Sequence, residues 1–301
     1  MLANNNEAII NKLAKNSVKT NKKQYAILFF TIILSAFMLF CVFTIGMTYL
    51  DSSRLQNTRL NGAEYDILTM NGFTSEQLNT LRQNENIRSV GIESYAGFIQ
   101  STEYDKTVEI GLLWCDEVFW DNLMSPARTK LDGHYPQNKN ELMVTKDILK
   151  TCGNENLSVG DSLILTYENN TGVYTDEFII SGIWDGYGDT SAGFVSKAFY
   201  DETGYDLKND GILCIKLNRN YVFPATIQSI EKSLDFSDRQ IFAPTGYIEN
   251  SFKLLLGICG LALVICLSAY LLIYNILYLS VSGKIRYYGL LQSLGMTKKQ
   301  L

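Results

Sequence analysis

Two unbroken apolar runs dominate the pattern of the chain. Residues 25–50 are 26 positions without a charge, and residues 254–281 are 28 more. A bilayer core about 30 Å thick is crossed by about 20 apolar helical residues, so each run is long enough to span one. Between the runs the pattern changes to short alternating or helical stretches. Residues 64–70, 88–100 and 107–114 read as strands, as do 141–144, 162–168, 175–183 and 211–218. Thr74, Ser75, Glu76 and Gln77 form a capping box that opens a helix to about Asn84. Residues 145–151 predict a helix stopped near Gly153, and 224–234 a helix with Pro224 in its first turn. Residues 169–172 carry the signal of a hairpin between two of the strands. Strands and helices mix without a strict β-α-β period. The predicted class is membrane α-helical, two transmembrane helices extending as stalks, with an inserted extracellular α+β domain.

The stalks follow from the flanks of the runs. After Leu50, residues 51–60 hold no Gly or Pro, and Asn61 and Gly62 end the helix. Before Leu254, Ile248, Phe252 and Leu255 keep helical spacing after the break at residues 244–246. Ahead of the first run, Lys12, Lys15, Asn16, Lys19, Lys22 and Lys23 lie opposite Ile9, Ile10, Leu13 and Ala14. That pattern suits an amphipathic helix on the inner membrane face, or a basic tail without such a helix.

Charge sets the orientation. Residues 1–24 carry five Lys and one Glu, residues 282–301 four basic residues and no acid, and residues 51–253 carry 17 basic and 30 acidic residues, net −13. Basic flanks stay cytoplasmic, so both termini are expected on the inner side of the cell membrane and the middle outside. The expected domains are a basic segment 1–24, spans 25–50 and 254–281, an outer domain 51–253 and a cytoplasmic segment 282–301. The first run is too long for a signal-peptide core, and residues 39–50 offer no small-residue cleavage site, so it reads as an uncleaved anchor. The acidic middle argues against nucleic acid, which needs its phosphates neutralised.

Catalytic chemistry is sparse. His134 is the one histidine of the chain, in a turn-like Gly133-His134-Tyr135-Pro136 stretch, which excludes a multi-histidine zinc site. No P-loop occurs. Asp185 and Asp189 with the glycines between them could hold calcium, but a glycine-rich connection is the plainer reading. The adjacent pairs Asp116/Glu117 and Asp201/Glu202 read as helix starts, and Asp176/Glu177 as strand neighbours on opposite faces. Of the six cysteines, Cys41, Cys259 and Cys266 lie in the spans. Cys115, Cys152 and Cys214 lie outside them, an odd number that leaves any pairing open. Tyr270, Tyr274 and Tyr278 form a stripe that lines a route for an amphiphile or packs against helices. Asn275 among them points to more membrane helices than this chain supplies. No catalytic residue, cofactor or metal is implied.

After the second run, Tyr287, Leu290, Leu291 and Leu294 fall at helical spacing outside the apolar stretch, and Gly295 is placed to stop that helix. Thr297 to Gln300 then form a second capping box. An apolar stripe in this place is a docking surface for a partner, or an interfacial helix that touches only lipid. Residues 284–301, with Tyr288-Gly289-Leu290-Leu291-Gln292-Ser293-Leu294-Gly295-Met296, resemble the hallmark of FtsX/MacB-type ABC transporter permeases. Gly133, Pro136, Asn140 and Glu141, then Val159-Gly160-Asp161 and residues 178–183, resemble the MacB-like extracellular core domain in order. The resemblance implies a permease subunit coupling ATP hydrolysis by a separate cytoplasmic ABC ATPase to movement of the outer domain. Its other implied partners are membrane lipid and further permease helices or a second permease copy. The implied ATPase-contacting set is Arg286, Tyr287, Tyr288, Gly289, Leu290, Leu291, Leu294, Gly295 and Met296. Tyr287 stands where such permeases carry an acidic residue. They also carry further membrane helices beyond this segment, so the chain reads as the N-terminal part of one. The rival reading is a two-span sensor whose outer domain binds a ligand.

Overall fold

The computed structural model describes residues 7–100, 110–187 and 192–293. In chain order the elements are α1 (Glu7–Thr20), α2 (Lys22–Asn61), β1 (Ile67–Met70), α3 (Ser75–Gln83), β2 (Ile87–Ile99), β3 (Ile110–Cys115), β4 (Arg128–Gly133), β5 (Glu141–Thr145) and α4 (Lys146–Thr151). Then follow β6 (Ser162–Asn169), β7 (Gly172–Gly186), β8 (Ala192–Val195), α5 (Lys197–Tyr200), β9 (Ile212–Leu217), α6 (Pro224–Lys232), β10 (Ile241–Pro244), α7 (Gly246–Ser282) and α8 (Ile285–Ser293). The chain divides into two compact units, residues 1–49 with 255–301, and Leu50–Leu254.

In the first unit, α2 and α7 are the long elements, with 40 and 37 residues. At 1.5 Å per residue they measure about 60 and 55 Å, well beyond the thickness of a bilayer core. Both are long and apolar enough to cross a membrane. They pack antiparallel on each other. Gly46 leaves room for Ile258, whose Cδ1 would lie 2.6 Å from a Cβ at that position, and at the far end Gln24 Nε2 donates to the Ile276 carbonyl at 3.1 Å. Past Ser282 the helix does not continue as the pattern predicts. Gly283 and Lys284 form a turn, their N–H groups bonded back to Leu279 and Val281, and α8 starts afresh at Ile285. Glycine at that position weakens the helix and permits the break.

The Leu50–Leu254 unit has two halves. Strands β10-β1-β9-β2 lie side by side, all antiparallel, with α3 joining β1 to β2 and α6 joining β9 to β10. That is a split β-α-β arrangement. The remaining strands are inserted between β2 and β9. Because β6 pairs with both β2 and β7, the pairings β2-β3-β8-β5-β7-β6 close into a circuit, with β3–β8 and β5–β7 parallel. Alternation along β6 puts Leu163, Leu165 and Tyr167 inward and Ile164 out. They join Leu112, Leu142, Phe178 and Ile180 in the main core. A second core, on the opposite face, holds Phe119, Trp120, Trp184, Phe194, Cys115 and Cys214. It is roofed by a π-helical turn, Val118–Leu123, that approaches β2 where Gly91 has no side chain: a Cβ there would lie 2.9 Å from Phe119 Cα.

The α+β character expected from the pattern is what the domain has. The capping box at Thr74 is present in full, with Gln77 N donating to Thr74 Oγ1 and Thr74 N to Gln77 Oε1. The hairpin of β6 and β7 turns at Asn170 and Thr171. Three strands carried no signal. β4 is exposed on both faces, β8 has four residues, and β10 ends in Pro244. Asp201 and Glu202 follow α5 instead of starting it, and pair with Lys197 and Lys139.

Candidate functional site

The expected docking set lies on and beyond α8. Arg286, Tyr287, Gly289 and Leu290 are exposed on that helix, Leu290 at 62%. Tyr288 and Leu291 belong to the same helix, while Leu294, Gly295 and Met296 lie outside the described residues, as does the second capping box. Ile285, 65% exposed, adds an apolar side chain that the sequence reading left out. Exposed apolar clusters are common at contacts with protein or lipid.

The tyrosines of α7 stack as a ladder, ring centroids 6.2 and 6.1 Å apart. At 100° per residue Ile258 and Ile276 share one helix face, and the tyrosines point to the opposite one. The stripe therefore faces away from α2.

The domain's polar groups act mainly as scaffolding. His134 is exposed, its Nδ1 3.0 Å from the Tyr135 carbonyl, and no group of metal-binding side chains occurs among the described residues. Glu141 holds the preceding turn: its carboxylate accepts from the N–H of Gln137 at 2.7 Å and from Asn138. Burial alone would raise its pKa, and these hydrogen bonds reverse that, holding it below the usual value. Asp116 Oδ1 accepts from Ile92 N and Phe119 N, which fixes the π-helical turn, although burial still lifts its pKa. All six cysteines are free. Cys115 and Cys214 lie on β3 and β9, one on each side of β2, and burial pushes both thiols up. Glu93 stands between them on β2, opposite Cys115 in the register, and burial pushes its carboxyl up to about 7. Arg128 stacks on the Trp120 ring at 4.1 Å, and burial lowers its pKa. A cleft of about 400 Å³ opens beside α3 over Gln77 and Gln240. Those amides are bonded to each other and to the carbonyls of Leu234 and Gly72, a closed polar floor.

One buried polar cluster of the domain was not legible in any motif. It lies where the chain passes from α2 into β1 and from β10 into α7. Ile67 and Pro244 face each other in the β1–β10 register, so the start of one strand and the end of the other share one edge. Lys216, on β9, is buried with its Nζ 3.2 Å from Glu64 Oε1 and 3.2 Å from Asp66 Oδ2. Asp66 also accepts from Leu217 N at Oδ2 and from Thr245 N at its main-chain oxygen. Burial raises the Asp66 pKa, and the Lys216 ammonium and the Leu217 N–H oppose that rise. Glu64 also faces Arg54 of α2 at 3.6 Å, and Arg59 of α2 lies 4.1 Å over the Tyr187 ring. The last turns of α2 and the first turns of α7 thus pack into the domain, with Leu50, Thr58, Ile248 and Ser251 buried.

No family model and no curated protein matches the chain. Solved structures do. The chain is similar to the periplasmic region of MacB from Actinobacillus actinomycetemcomitans, with 12% identity over 64% of this chain and 95% of that one, TM-score 0.42. It is also similar to the extracellular domain of the noncanonic ABC-type transporter YknZ from Gram-positive bacteria, with 12% identity over 59% of this chain and 98% of that one, TM-score 0.38. At this identity the likeness is one of fold alone.

Proposed function

We infer that this chain is a membrane-embedded permease component of an ABC transporter, without catalytic residues of its own. In this reading a separate ATPase docks on the segment that begins with α8, and its ATP-driven closure displaces α2 and α7. Those helices then move the Leu50–Leu254 domain, which lies outside the membrane with both termini inside. The observation that carries the reading is the position of α8. An exposed apolar helix, with Tyr287 and Leu290 on it, follows the second long apolar helix after a two-residue turn. The basic flanks supply the orientation, and the resemblance of residues 284–301 to the FtsX/MacB hallmark supplies the partner's class.

Topology is testable directly. A membrane-impermeant thiol reagent on intact cells should label Ile164→Cys, on the exposed face of β6, above the wild-type background. Val18→Cys, exposed on α1, should gain label only after permeabilisation. The reverse pattern contradicts the proposed orientation. The chain purified from membranes should also bring with it an ATPase subunit with Walker motifs, identified by mass spectrometry.

A further inference from the structure

We propose that Lys216 is the centre of an electrostatic clasp that ties the outer end of α2 to the first turn of α7. Both carboxylates it holds lie in the five residues that join α2 to β1. Asn61 ends α2, Gly62 turns the chain at φ +70°, Ala63 is buried in the second core, and Glu64 and Asp66 then point at the same ammonium. One arm of the clasp runs from Lys216 through Glu64 to Arg54, on α2. Glu64 is anchored by its own N–H, which donates to the Leu123 carbonyl at 2.6 Å.

The other arm runs through Asp66. Its side chain accepts from Lys216 and Leu217 N, while its backbone extends the sheet on both sides, to Ile215 O and from Thr245 N, each at 2.8 Å. Thr245 in turn receives the first helical bonds of α7, from Ile248 N to its Oγ1 and from Glu249 N to its carbonyl. Both arms therefore share one ammonium, Glu64 bringing the end of α2 to it and Asp66 the start of α7. A buried lysine is costly to desolvate unless its partners hold it closely, so the cluster resists opening in part. Each arm holds one helix end to the shared ammonium, so loss of the ammonium frees both ends and loss of Glu64 frees only the end of α2. The clasp itself stands on contacts within the domain. Its use in passing ATP-driven movement outward rests on the proposed function.

Hydrogen exchange read by mass spectrometry on the full chain in detergent micelles tests this. Lys216→Met combined with Asp66→Asn removes the buried ammonium and the buried carboxylate at once and leaves Glu64 paired with Arg54. Peptides covering 51–61 and 246–254 should then lose protection together, about tenfold, while peptides from β5 and β7 keep theirs. Glu64→Gln cuts the first arm alone and should loosen 51–61 while sparing 246–254. If the double variant melts cooperatively and either helix end keeps its wild-type protection, the clasp is overturned. If the double variant does not fold, Glu64→Gln decides: wild-type protection at 51–61 overturns the proposal, and selective loosening upholds it. A chain that binds no ATPase yet loosens at both ends together keeps the clasp and loses the transport reading.

Discussion

The same apolar residue types meet opposite fates in the two units. In the Leu50–Leu254 domain, Leu112, Leu142 and Ile180 are fully buried, enclosed by a circuit of paired strands. Along α2 and α7, Phe30, Leu34 and Leu279 are 67%, 59% and 68% exposed, although these helices already pack on each other. The domain meets the hydrophobic effect by excluding water from its own interior. The helices satisfy their backbone internally and leave their side chains for a surrounding that is not water. Burial within the chain is therefore a measure of folding in one unit and of unmet environment in the other.

The contrast makes graded predictions. Leu142→Ala should cost the domain about 2–5 kcal/mol, seen as a lower denaturant midpoint, because it opens a cavity in a packed core. Next comes the pH dependence of the second core. The ordinary carboxyl value near 4.5 rises to about 7 at Glu93, so the folded domain keeps a proton that the unfolded chain releases. That contribution to stability is complete below 4.5 and is lost as pH climbs through 7. The melting temperature should accordingly fall as pH rises from about 4.5 to about 7, and Glu93→Gln should flatten that slope. An unchanged slope in the variant would assign the dependence to other groups.

Thr74→Ala should cost about 1 kcal/mol through loss of the helix cap, without altering the core. Smallest of all, Leu34→Ala in α2 should leave the domain's midpoint within about 0.5 kcal/mol of wild type. A loss there as large as that of Leu142→Ala would break the comparison between the units.

What the sequence made legible was local. The Thr74 box, the helix opened by Thr145 and the hairpin at residues 169–172 each depend on residues within a few positions of one another, and each is present. β4 and β8 escaped because their partners, β7, β3 and β5, are supplied by distant parts of the chain, and neither strand alternates in hydrophobicity. The Lys216 cluster escaped for the same reason: Glu64 and Asp66 lie about 150 positions from the lysine they hold. Of α8, the spacing of Tyr287 and Leu290 was plain in the sequence, while the turn at Gly283 that separates it from α7 was not.

The central claim is that α8 is where a motor subunit docks. Its most direct test is to purify the wild-type chain and Leu290→Glu from the same membranes and ask by mass spectrometry which carries an ATPase with Walker motifs. The account predicts the ATPase with wild type and its loss with Leu290→Glu, at an unchanged melting temperature of the domain. An ATPase retained by Leu290→Glu, or absent from both, would contradict it.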